Sequence, residues 1–142
     1  MTGIDMIGPG IVLGLGCIGS SIGCGIAGMA SHGAMTRTEE GHGKFIGLSA
    51  VASSQSIYAL ILMILMRDAI RNGTLTGIAG IGIAIFVGGA FMASAVYQGM
   101  CAASAIQATA KQPALFGKTA AALGIVESFA LFAFVFALLL MK

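Results

Sequence analysis

Residues 10–28 read GIVLGLGCIGSSIGCGIAG, nineteen consecutive positions with no charged side chain and glycine at seven of them. A run this apolar is long enough to enter or cross a bilayer. In water a glycine costs a helix roughly 0.5–1 kcal/mol relative to alanine. In lipid, small residues at three- and four-residue spacing let helix backbones approach closely, so that van der Waals contact replaces the missing hydrophobic drive. The rest of the chain agrees: of 142 residues 58% are hydrophobic and 8% charged, with a mean hydropathy of +1.01, whereas soluble domains carry about a quarter charged residues. The 22 glycines follow no three-residue period, which excludes a collagen-like chain. A net charge of +2 without a basic cluster argues against a nucleic-acid partner.

The charges draw the topology. None lies between Asp5 and Arg37, between Lys44 and Arg67, or between Arg71 and Lys111, and Glu127 is the single one between Lys118 and Lys142. This predicts four spans, with helices over about 8–35, 44–68, 75–108 and 117–141. The second charge-free stretch, 45–66, reaches about 33 Å at 1.5 Å per residue, enough for a hydrocarbon core of about 30 Å. Connections at 36–43, 67–74 and 108–116 are too short for anything but antiparallel neighbours. The expected fold is an all-α membrane protein of two tandem antiparallel helical hairpins, 1–70 and 71–142. The connections at 36–43 and 108–116 and the helix starts beside them hold Arg37, Lys44, Lys111 and Lys118, against Arg67, Arg71 and Lys142 opposite, a narrow positive-inside margin. The first ten residues contain no Lys or Arg, so the first span is expected to be retained rather than cleaved.

An internal repeat supports this layout. Shifting the chain by 71 positions sets Gly28–Met35 over Gly99–Ile106, and a shift of 74 sets Gly43–Lys44 over Gly117–Lys118. A hairpin in each half is a parallel duplication, suited to packing around an axis normal to the membrane. Gly77, Gly80, Gly82, Gly88, Gly89, Ala93 and Ser94 make the third span small-faced like the first. Cys17, Cys24 and Cys101 are read as packing residues too, and GLGCIG lacks the preceding strand a dinucleotide fingerprint requires.

Function is to be sought among the polar residues inside the spans. Glu127 sits near the middle of the fourth span, where a charged side chain costs at least about 2.5–3.5 kcal/mol on insertion scales, so it must be protonated or paired with a cation. In the second span Val51, Ser54, Gln55 and Tyr58 are spaced i, i+3, i+4, i+7 and share a face. Gln98 is the lone amide in the middle of the third span. Hard cations such as sodium want several oxygen ligands, which amide, hydroxyl and carboxylate groups can supply together.

With its duplicated glycine-rich hairpins, SSQSIY at 53–58, YQGM at 97–100 and VES at 126–128, the chain resembles the four-helix rotor-ring proteolipid of V-type and A-type ATPases. The resemblance implies a membrane subunit of bacterial or archaeal cells, non-catalytic itself, with ATP hydrolysis in partner subunits. It also implies a homo-oligomeric ring with spans 1 and 3 inside and lipid in the pore. A stator subunit would present an Arg to Glu127, and a central stalk would grip the loops near 36–44 and 108–117. The implied ion ligands are Glu127, Gln55, Ser54, Gln98 and the Val51 carbonyl, with Tyr58 bonded to Glu127. No resident cofactor is implied, and the transported ion is Na+, or in the alternative H+, which needs only the carboxyl and one hydrogen-bond acceptor. Two departures stand out. Ala52 and Ser53 occupy the places where the family often has Pro and Gly, so the Val51 carbonyl is expected to stay in its bond with Gln55 N–H. Ser53 aligns with Glu127 in the repeat, so one ion per chain is expected.

Outside this class, a small multidrug antiporter also uses a membrane Glu in a four-helix chain, but typically lines its cavity with Trp and Tyr. This chain has no Trp and two Tyr.

Overall fold

The computed structural model describes residues 3–141. The elements are a 3-10 turn at Gly3–Met6, helix α1 (Ile7–Met35), α2 (His42–Ser49), a 3-10 turn at Val51–Ser53, α3 (Ser54–Arg71), α4 (Gly77–Lys111), a 3-10 turn at Pro113–Leu115 and α5 (Phe116–Leu140). They join into four segments long and apolar enough to cross a membrane: Gly3–Met35, His42–Arg71, Gly77–Lys111 and Pro113–Leu140. Lys142, counted in the charge comparison, lies outside the described residues.

Three local features differ from the sequence reading. The connection expected at 67–74 begins later, because α3 continues to Arg71. Arg67 and Asp68 ride on its last turns as an ion pair at 3.5 Å, and the stop is set by Gly73. With φ of +75°, Gly73 donates its N–H to Ile70 O at 3.1 Å while Thr74 N–H reaches Ala69 O at 3.0 Å, the paired bonds of a Schellman C-terminus. Thr76 then caps α4 by accepting the Ala79 N–H at 3.3 Å. The connection expected at 108–116 likewise shrinks, with α4 running through Lys111 and the 3-10 turn at Pro113–Leu115 leading into α5. A charge marks where the hydrocarbon ends, and a helix can carry a further turn into the interface. Third, the second span is interrupted between Ser49 and Ser54.

Spans 1 and 3 run parallel and make the most extensive contact in the molecule. Glycine explains the closeness. A Cβ added to Gly8 would stand 2.7 Å from the Gly80 carbonyl carbon, and one on Gly19 would stand 2.5 Å from Met92 Cα; one on Gly99 would fall on the backbone of Gly23. Span 2 packs antiparallel on span 1, with Gly16 against Ala59 and Gly23 against Ala52. Span 4 packs on span 3. The two hairpins are therefore locked through their first helices.

Two apolar clusters fill the bundle, one containing Val12, Leu62, Met66 and Phe91, the other Ala27, Phe45, Ile106 and Leu123. On every span the residues of the two clusters are separated by a polar position: Ser20, Gln55, Ser94 with Gln98, and Glu127. The polar side chains form one layer across the bundle between two apolar ones.

Candidate functional site

Gln55 and Gln98 are the most deeply placed polar side chains of that layer, at 0% and 1% exposure. Each buried amide must place two donors and an acceptor, since an unsatisfied one costs about 1–3 kcal/mol. Gln55 donates to Gln98 Oε1 at 2.8 Å and to Ser94 Oγ at 3.2 Å, leaving its own Oε1 to face the Ser54 hydroxyl at 3.2 Å. Gln98 donates to Leu123 O at 3.3 Å and to Glu127 Oε2 at 3.5 Å. The other carboxylate oxygen of Glu127 accepts the Tyr58 hydroxyl at 2.7 Å. Tyr58 is itself held between the rings of Phe91 and Phe134, at centroid distances of 6.5 and 6.4 Å.

The side chains that share a face of the second span thus meet Gln98 from the third and Glu127 from the fourth. Ser54 joins the two ends of the set: its hydroxyl lies 3.1 Å from Val51 O and 3.2 Å from Gln55 Oε1, so its one proton can serve either. Val51 is half-buried, and its carbonyl accepts the Ser54 N–H within the 3-10 turn. The second span, expected as one helix over about 44–68, is therefore broken here although it contains no Pro. Oxygen atoms from Val51, Ser54, Gln55, Gln98 and Glu127 are linked in one connected network with a single formal negative charge. No group of three or more His, Cys, Asp or Glu occurs among the described residues, so a cation held here would rest on that carboxylate and neutral oxygens.

Ser94 belongs to this network, although the sequence reading placed it among the packing residues. Its hydroxyl accepts from Gln55 and donates to Val126 O at 3.1 Å, joining spans 2, 3 and 4. Its position four residues before Gln98, hence on the same helical face, was the available signal. The three cysteines, on spans 1 and 3, are free, Cys17 and Cys101 exposed and Cys24 half-buried. His32 is exposed on α1, and His42 Nε2 lies 2.8 Å from Thr38 O in the first connection.

The family model for the C-subunit of ATP synthase matches this chain twice, at residues 7–66 and 76–140. The chain belongs to the ATP synthase C-subunit family. The two matches fall on the two hairpins, so this is a duplicated, multi-pass membrane member of that family. The A-type ATP synthase subunit K of Methanocaldococcus jannaschii is 35% identical over 138 residues, covering 96% of this chain and 62% of that protein. The chain therefore spans about three-fifths of the length of this curated relative.

Proposed function

We propose that this C-subunit family member is the ring-forming rotor component of an A-type or V-type rotary ATPase and carries one Na+ per chain at Glu127. The observation that carries the reading is the Glu127 carboxylate, held at mid-span by Tyr58 and Gln98 and continued by neutral oxygens to Gln55, Ser54 and Val51. A proton would need no such set. Sodium asks for about five or six oxygens, and one carboxylate among amide, hydroxyl and carbonyl groups offers a hard cation that environment while neutralising its charge.

Copies of the chain would close into a ring with spans 1 and 3 inside and spans 2 and 4 outside. Isoleucine and phenylalanine side chains such as Ile57, Ile61, Phe129, Phe132 and Phe136 are exposed on the outer spans and suit contact with lipid. A site passing through lipid has to be neutral, so the ion stays bound there. At the stator an Arg competes for the carboxylate by charge-assisted hydrogen bonding. The ion then leaves by one half-channel, and Glu127 reloads from the other. Tyr58 closes the site by returning its hydroxyl to Glu127. Nucleotide chemistry belongs to partner subunits, coupled through a stalk seated on the connections at 36–41 and 112–115. Ser53 stands where the repeat places the equivalent of Glu127, which gives one ion for four spans.

Carbodiimide modification of the detergent-purified ring, with and without sodium, tests the reading, because the reagent attacks a protonated carboxyl. Sodium is expected to protect Glu127. Modification of Glu127 indifferent to sodium would replace the cargo with a proton, and failure to isolate a closed ring would overturn the rotor role.

A further inference from the structure

We infer that Ser20, on the first span, is a positioning residue that keeps the second span open at the level of Glu127; the inference deepens, and rests on, the cation-site reading above. The stretch AVASSQSI at 50–57 contains neither Pro nor Gly, so nothing in its covalent structure stops a helix. Even so, α2 ends at Ser49 and regular helix resumes only at Ser54, with a 3-10 turn at Val51–Ser53 between. Short 3-10 stretches inside a helix commonly mark a strained or functional point.

The Ser56 N–H supplies the cause. In a continuous helix the Ser56 N–H would bond to the Ala52 carbonyl. Here it donates instead to Ser20 Oγ at 3.0 Å. Ser20 is nearly buried, and the glycine contacts of span 1 bring its backbone close enough to span 2 for a side chain this short to reach. A donor captured from outside cannot also close the α-turn on Ala52, so the i+3 pairing that begins upstream, with Ala50 N–H on Gly47 O at 3.2 Å and Ser53 N–H on Ala50 O at 3.0 Å, is kept from closing back into regular helix before Ser54. The Val51 carbonyl then pairs at i+3 with Ser54. Local serines assist: the hydroxyls of Ser53, Ser54 and Ser56 each bond back to the carbonyl three residues earlier, at 2.7, 3.1 and 2.7 Å, which competes with helical pairing. The outcome is the arrangement that sets Val51 O, Ser54 Oγ and Gln55 Oε1 side by side. Ser20 touches none of these atoms and acts through the backbone of Ser56.

The third span offers a parallel: the hydroxyl of Ser94 donates to Val126 O on the fourth. Each inner span uses one serine hydroxyl to fix the outer span of its own hairpin, once as acceptor and once as donor.

The test is made on purified full-length rings. Ser20→Ala is expected to weaken sodium protection of Glu127 about tenfold, the order of one or two net hydrogen bonds, while modification without sodium proceeds as in the unmodified chain. Ser20→Cys keeps a side chain of nearly the same size but replaces the hydroxyl by a thiol, a weak acceptor. It should lose sodium affinity by about as much as Ser20→Ala. Unchanged sodium protection in Ser20→Ala would overturn the inference, and so would protection in Ser20→Cys equal to that of the unmodified chain, by showing that Ser20 acts through packing. If Ser20→Ala rings do not assemble, Ser20→Cys decides by the same criterion. The unmodified chain's own response to sodium tests the ion reading separately. Should that fail, hydrogen exchange of the Ser56 amide still tests the bond, with at least tenfold faster exchange expected in Ser20→Ala and an unchanged rate counting against it.

Discussion

The Tyr58 hydroxyl donates to Glu127 Oε1 at 2.7 Å, joining the second and fourth spans across 69 positions of sequence. These two spans otherwise touch little, each packing mainly on its inner partner. The bond is therefore a link between two outer helices that can break without unpacking the bundle, as a site that must open at each stator encounter requires.

Tyr58→Phe keeps the ring between Phe91 and Phe134 and removes only the donor. A hydrogen bond to a charged group is worth about 1.5–3 kcal/mol, so sodium should be held roughly tenfold or more less tightly, with the thermal stability of the ring little changed. Competition between sodium and carbodiimide at Glu127 measures this; equal protection in the variant would remove Tyr58 from the site.

Gln55→Ala and Gln98→Ala each delete a buried amide and orphan its partners. A stability loss of about 1–3 kcal/mol is expected from the unsatisfied groups alone, with ring assembly retained and sodium protection of Glu127 weakened in both. Unchanged protection in the two variants would show that the amides serve packing and not the ion.

Gly99→Ala would drive a methyl group into the backbone of Gly23, forcing spans 1 and 3 apart, and should cost about 1–3 kcal/mol or more. Gly25→Ala meets nothing within 4 Å inside the chain and should leave the isolated subunit's fold unaffected. Comparing the thermal midpoints of the two variants in detergent checks the contrast; equal losses would mean that Gly23 and Gly99 are not the critical approach.

Gly73→Ala places a side chain at a φ of +75°. The expected cost is about 1 kcal/mol, confined to the end of α3 and seen as faster amide exchange at Gly73 and Thr74 without change at Gln55. Uniform acceleration through α3 would contradict a local cap.

The sequence by itself determined the number of spans, their order and the duplication, because lipid forces every backbone group into a helix and makes each charge a boundary marker. It also named Glu127 as the costly group and, by helical spacing, Val51, Ser54, Gln55 and Tyr58 as one face. Helix ends were legible only to within a turn or so, since Arg67, Arg71 and Lys111 extend helices past the hydrocarbon edge. What the tertiary structure alone decided are the relations between spans: which glycines touch, that Ser94 joins Gln55 to Val126, and that Ser20 takes the Ser56 N–H beside a break in a stretch, 50–57, that holds neither Pro nor Gly. Those depend on how closely two backbones approach, which is a property of paired surfaces. A stretch such as AVASSQSI is compatible with an unbroken helix until another helix supplies the competing acceptor.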